Sequence, residues 1–345
     1  MRAAIFYGAG DIRIEERPLP RVDSGEVLVK IKAAGICGSD LHGFRSAPRH
    51  SEGYMFGHEY SGEVVEVAKG VKGLAVGDRV GLEPLVGCGE CVYCLSGNYH
   101  LCPELWHIPG FAEYQKFPQG KAFKLPDNVS YKEASTLDCI AVAVHAAKLS
   151  GLKGGDTAVV LGAGTIGLFT MQTLKAFGAG AVYETGTYGF QVKLAKELGA
   201  DATINARTED LVGKMKELTG VEVVRGQEVP RGVDHVFEAI GGPKNPLEAA
   251  LRVVRRGGTV TVIGDPKNPI NLSSFVMREV RIVGSSSYAY CDQKPEFQIA
   301  LDLLDHGKVN AKKVITHTFP LDRIKEAFDV ASDKNTGCIK VVVEP

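Results

Sequence analysis

Four cysteines, Cys88, Cys91, Cys94 and Cys102, crowd into fifteen residues with the spacing C-x2-C-x2-C-x7-C. Zinc takes four thiolates in a tetrahedron, and spacings this short let one folded loop deliver all four. A closed all-sulfur shell leaves no position for a substrate. The expected site is therefore structural zinc, stabilising its loop by on the order of 10 kcal/mol, with an iron–sulfur cluster or free thiols as the alternatives. A second set is more dispersed: Cys37 in GICGSDLHG, His58 and Glu59 in GHEYSGE, and Asp138 beside Cys139 in TLDCIAV. Thiolate, imidazole and carboxylate together form a mixed shell that can leave one zinc position open. On residue type alone, a lone buried cysteine or a core histidine is the commoner explanation of such positions. A third feature is VVLGAGTIG, where Gly162, Gly164 and Gly167 give G-x-G-x-x-G between an apolar run and a helical pattern. In that setting the glycines allow a tight turn, backbone approach to a pyrophosphate and close helix–strand packing, and the helix N-terminus offers free N–H groups to phosphate.

The elements that must position these residues fall into two textures. The first ~130 residues read as short strands between glycine-rich turns, with examples at 12–16, 27–33, 62–67 and 79–82. From about Ser130 to Gly284, helical patterns alternate with apolar strands at 158–161, 181–184, 235–238 and 259–263, which implies a parallel sheet covered by helices. Helices are expected at 297–306 and 321–331, then a closing strand at 339–344. The polar, β-branched run 221–230 reads as a surface excursion. At 345 residues the chain is long enough for about two domains. Its 40 basic residues balance 41 acidic ones, for a net charge of −1, which removes the electrostatic warrant for nucleic acid or an anionic membrane. The uncharged 18-residue run Thr157–Leu174 touches the length of a membrane span, but its glycine turn would strand backbone groups in lipid. No basic stretch followed by an apolar core opens the chain, so a soluble, cytoplasmic protein is expected.

The order of GICGSDLHG, GHEYSGEVVEV, GDRV, the four-cysteine segment, FAEY and VVLGAGTIG resembles the zinc-dependent medium-chain alcohol dehydrogenase family across essentially the whole chain. LEP after GDRV further resembles its polyol, sorbitol-like branch. The resemblance implies an α/β fold: a GroES-like β-barrel catalytic domain (1–146 and 288–345) with an inserted Rossmann domain (147–287), a doubly wound parallel sheet, and the active site in the interdomain cleft. It implies a catalytic zinc on Cys37, His58 and Asp138, with Glu59 approaching from behind and able to join the shell. Asp138 is preferred to Cys139 by its spacing to His145, although a contribution from Cys139 stays open. It also implies Ser39 hydrogen-bonding the substrate oxygen and His42 relaying the proton, and cofactor contacts at Gly162, Gly164, Thr165, Ile166, Gly167, Gly186, Thr187, Tyr188, Ile263 and Ser285. A homo-oligomer, dimer or tetramer, is the usual family state. The expected reaction is hydride transfer from a secondary alcohol of a polyol, sugar or cyclitol to NADP or NAD. Simple secondary alcohols, threonine or glucose are the alternative substrates, and a non-catalytic protein on the same fold would have lost the zinc and relay positions that this chain retains.

Three departures from the family pattern matter. The 102–111 segment, which walls the substrate pocket, is short and carries Trp106 and His107; with Glu83 it suggests a polar, open cleft, unless the single Trp is packing filler. Ser287 stands where many polyol dehydrogenases carry an arginine. At the end of the second Rossmann strand, Gly186 occupies the position of the acid that binds the ribose of NAD, and Glu184 lies two residues earlier inside the strand. Gly186, Thr187 and Tyr188 resemble NADP-using members, with Lys193 or Arg207 as the source of a cation. NADP is therefore expected over NAD.

Overall fold

The structure, a computed structural model, describes residues 1–45, 53–242, 246–267, 269, 275–291 and 293–345. The chain forms two compact units, one of residues 1–139, 289–305 and 311–345, the other of residues 140–288 and 306–310. The chain passes between them within the helix Leu137–Ser150.

In the first unit the strand Glu26–Gly35 is the hub. Its alternating buried residues, Val27, Val29 and Ile31, meet Phe117, Val64 and Val80 in one apolar cluster. Along one edge it pairs antiparallel with Glu59–Val67, which leads on to Arg79–Leu82 and Ala122–Lys124. Tyr114–Pro118 and the C-terminal strand Lys340–Glu344 also pair with it, and Ile315–Pro320 runs parallel to Lys340–Glu344. The last strand is thereby built into the sheet that Glu26–Gly35 begins. A smaller sheet joins Arg2–Gly8 to Asp11–Glu16 and Tyr54–Met55. The expected strands at 12–16, 27–33, 62–67 and 79–82 all fall inside observed strands.

The second unit holds a parallel sheet in the order Ala202–Asn205, Ala181–Gly186, Thr157–Leu161, Val233–Glu238, Val254–Val262, Arg281–Gly284. Strand order reverses between Thr157–Leu161 and Val233–Glu238, the switch point where doubly wound sheets bind ligands. Continuous apolar runs such as Ala158–Leu161 are buried on both faces, as a helix-covered parallel sheet requires. The uncharged run at 157–174 divides into the strand Thr157–Leu161 and the helix Thr165–Ala176. Among the described residues, no helix is long and apolar enough to cross a membrane. The 221–230 excursion is a hairpin, Val221–Val224 paired with Gln227–Pro230. Its turn residues Arg225 and Gly226 both have positive φ, 53° and 79°, matching a two-residue turn that follows the twist of its strands.

Candidate functional site

Cys37 is the N-cap of the short helix Gly38–Phe44, and His58 and Glu59 lie where the strand Glu59–Val67 begins. One ligand atom from each of Cys37, His58 and Glu59 lies within 4.8 Å of the other two. Asp40, three residues after Cys37, is the organising group. Its buried carboxylate accepts from the Cys37 N–H at 2.9 Å and the Gly57 N–H at 3.3 Å, and lies 3.5 Å from His58 Nδ1. That contact leaves Nε2 of His58 for a metal, the arrangement by which an outer carboxylate fixes a metal-binding imidazole. Burial pushes the His58 imidazole down, but Asp40 and Cys37 outweigh it and raise its pKa well above the ordinary value. Asp40 was absent from the sequence reading; its signal there was an acid at the third helical position after a candidate ligand.

Glu59 is wholly buried against Gly35, where any side chain would collide with the carboxylate. It accepts from Cys139 Sγ at 3.1 Å and from Lys340 Nζ, which also donates to the Ile36 carbonyl at 3.0 Å. Burial alone would lower the Lys340 amine, but Cys139 and Glu59 hold its pKa well above the ordinary lysine value. Cys139 is thus occupied by Glu59, and Lys340 is a second residue that sequence reasoning missed. Asp138 is buried in the first turn of Leu137–Ser150 and falls outside the group formed by Cys37, His58 and Glu59. Ser39 and His42 are exposed on the helix Gly38–Phe44, three positions apart and so on one face. The His107 ring stands edge-on to His58, with ring centroids 5.7 Å apart. Desolvation, then neighbouring His58, lowers the His107 pKa.

The ligand atoms of Cys88, Cys91, Cys94 and Cys102 also lie within 4.8 Å of one another. Backbone N–H groups of Glu90 and Cys91 point at Cys88 and lower its thiol to about 7. Four sulfurs in one loop fit a closed zinc shell, and sulfur, nitrogen and oxygen at Cys37, His58 and Glu59 fit an open one. Glu83 does not supply a free polar wall. It is buried, accepting from Tyr99 Oη at 2.5 Å and Lys121 Nζ at 2.7 Å, and so ties the cysteine segment to the sheet. Trp106 is exposed rather than core filler.

In the second unit Gly162 has φ of 108° and Gly164 caps the helix Thr165–Ala176. A Cβ at Gly167 would collide with the Gly162 carbonyl, whereas a Cβ at Gly164 would meet nothing within 4 Å. The turn is therefore closed on its protein side and open where a phosphate would approach. Thr165 and Ile166 form the first turn of that helix, which contains no acid. Ile263 donates its N–H to the Glu238 carbonyl and Ser285 donates to Val262, both at 2.8 Å. Gly186 ends its strand, and the Thr187 and Tyr188 N–H groups donate to Gln191 Oε1 at 3.0 and 3.1 Å. The Arg207 guanidinium lies over the Tyr188 ring, 4.3 Å from its centroid. Lys193 instead lies 3.9 Å from Glu197. Glu184 is 1% exposed, its two oxygens have no hydrogen-bond partner among the described residues, and burial raises its pKa well above the ordinary value.

Residues 23–127 match the alcohol dehydrogenase GroES-like domain and residues 165–306 match the zinc-binding dehydrogenase family. The chain is 34% identical over 358 residues to a sorbitol dehydrogenase of Bacillus subtilis, covering 100% of this chain and 97% of that one. A structure assigned as a zinc-binding dehydrogenase of Sinorhizobium meliloti, bound to NADP, superposes with a TM-score of 0.87 at 30% identity, covering 100% of this chain and 99% of that one. An alcohol dehydrogenase of Escherichia coli complexed with NADH gives 0.89 at 28% identity, with the same coverage. The chain belongs to the zinc-dependent medium-chain alcohol dehydrogenase family, among its polyol dehydrogenases.

Proposed function

We propose that the protein oxidises a secondary alcohol of a polyol, sugar or cyclitol, with the first unit as the catalytic domain and the second as the nucleotide-binding domain. The observation that carries this reading is the Cys37–His58–Glu59 group, a mixed donor set backed by Asp40. When bound, zinc supplies the Lewis acidity that brings a hydroxyl pKa towards neutrality, and the nicotinamide accepts the hydride. Cys37, His58 and Asp138 or Glu59 would hold that zinc, and the four-cysteine segment a second, structural one. Asp40 fixes the His58 tautomer. Lys340 and Cys139 hold Glu59 against the strand, from which it can reach the metal. Ser39 Oγ takes the hydroxyl proton and passes it to His42, one turn further along an exposed helix face.

The cofactor reading favours NADP over NAD. Glu184 is sealed in the core and not available to a ribose, Gly186 puts no charge at the strand end, and Arg207 over Tyr188 supplies a cation beside it. An arginine fork suits a phosphate. The pairing of exposed Ile282 with an edge strand, Arg281–Gly284, supports a homo-oligomer, because such an edge is a template for a second copy. Clustered thiols fit the reducing cytoplasm.

The test is a panel of polyols, cyclitols and simple alcohols run with each nicotinamide cofactor. Vicinal polyols with NADP should give the highest kcat/KM; ethanol or a long-chain alkanol as the best substrate would sink the polyol assignment.

A further inference from the structure

From the short 102–111 segment, His107 stands beside His58 of the Cys37–His58–Glu59 centre, while Glu83 is occupied by Tyr99 and Lys121. It lies on the strand Trp106–His107, opposite Leu85 in the strand Leu85–Val86. The residue after it is pinned on both sides. Ile108 N–H donates to the Pro84 carbonyl at 3.0 Å, and the Ile108 carbonyl accepts from Tyr60 Oη at 2.5 Å. His107 is therefore an exposed ring on a fixed backbone, tilted 63° to the His58 ring. It falls outside the metal-ligand group, so it is placed beside that centre rather than in it.

We propose that His107 is a specificity-determining residue that hydrogen-bonds the second hydroxyl of a vicinal diol whose first hydroxyl is the one oxidised. This rests on the dehydrogenase reading above. A neutral imidazole offers one donor and one acceptor, matching a hydroxyl that is both. A vicinal diol bound at the centre through its first hydroxyl would carry a second hydroxyl on the adjoining carbon within reach of a ring beside His58, whereas a monohydroxy alcohol would offer that ring a methylene or methyl group. A hydrogen bond of this kind is worth about three- to tenfold in binding.

The test uses the zinc-loaded full chain, its His107→Phe variant, which keeps a flat ring beside His58 without nitrogens, and His107→Gln, which keeps a donor and an acceptor. Steady-state kinetics on 2,3-butanediol and 2-butanol are measured with zinc per chain. His107→Phe should lose about three- to tenfold in kcat/KM on the diol, mostly through KM, with 2-butanol changed by less than about twofold. His107→Gln should recover part of the diol activity, and zinc should be unchanged in both. Equal losses on the two alcohols, no loss on the diol, or loss of zinc would each overturn the role. A parent that oxidises 2-butanol without favouring the diol overturns the His107 role alone. A parent that oxidises neither of these, nor any alcohol of the polyol, cyclitol and simple-alcohol panel with either cofactor, overturns the dehydrogenase reading with it.

Discussion

Asp40 and Glu184 show how differently two buried carboxylates behave. Asp40 is met by two backbone N–H groups and His58, and its job is orientation. Asp40→Asn should lower zinc affinity at the Cys37–His58 centre by about 10- to 100-fold, the usual cost of losing an outer-shell partner; a metal competition titration reads it. Glu184 has no partner, and a side chain at Gly167 would press on it at 3.1 Å. An acid whose native pKa is raised above its ordinary 4.5 holds its proton more tightly when folded. The stability this gives is complete below that pH and is lost as pH rises towards the native pKa. Glu184→Gln has no proton to lose, so its Tm should exceed the parent's by a margin that grows as the pH is raised from the acid range to neutrality and beyond. A flat or shrinking margin would mean that Glu184 is ionised and paired. Gly186→Asp should cut kcat/KM for NADP at least about tenfold, or 1.4 kcal/mol, without harming NAD. Because its Cβ would lie 3.1 Å from Val192 Cγ2, Arg207→Ala is the companion test, read by NADPH fluorescence titration. A parent preferring NAD tenfold or more would contradict the NADP reading.

At the scale of elements, the sequence was legible wherever a local pattern was also the final environment. The four cysteines needed one loop, the glycine turn needed one strand and one helix, and alternation through Val27, Val29 and Ile31 needed one sheet face. Interactions across long sequence separations were not legible. Glu59 is 281 residues from Lys340, and nothing in GHEYSGE or CIKVVVE announces that pair, because it exists only once Lys340–Glu344 has joined Glu26–Gly35. Glu83 misled for the same reason: an acid in LEP reads as polar lining until Tyr99 and Lys121 fold back onto it. At the edge strand Arg281–Gly284, exposed Ile282 and nearby Met277 lead to a further expectation. Light scattering should give the parent a mass above that of a single 37.0 kDa chain and Ile282→Glu a mass close to it, whereas the same mass for both would contradict assembly through this edge.

For the whole molecule, we propose two metal centres with separate work. One would be closed by four sulfurs and support a loop, and the other would be open and serve the reaction. Losing a thiolate from the first should loosen the fold or assembly, because structural zinc binding is coupled to folding. Losing Cys37 should leave the fold intact and silence the enzyme. The most direct measurement is elemental analysis of metal per chain in the parent, Cys37→Ala and Cys91→Ala, each purified in the same way. Two zinc ions in the parent, and one in a folded but inactive Cys37→Ala, are the predicted result, with Cys91→Ala losing zinc and thermal stability together. Iron in place of zinc, an empty four-cysteine segment, or a Cys37→Ala enzyme that keeps both its metal and its activity would contradict it.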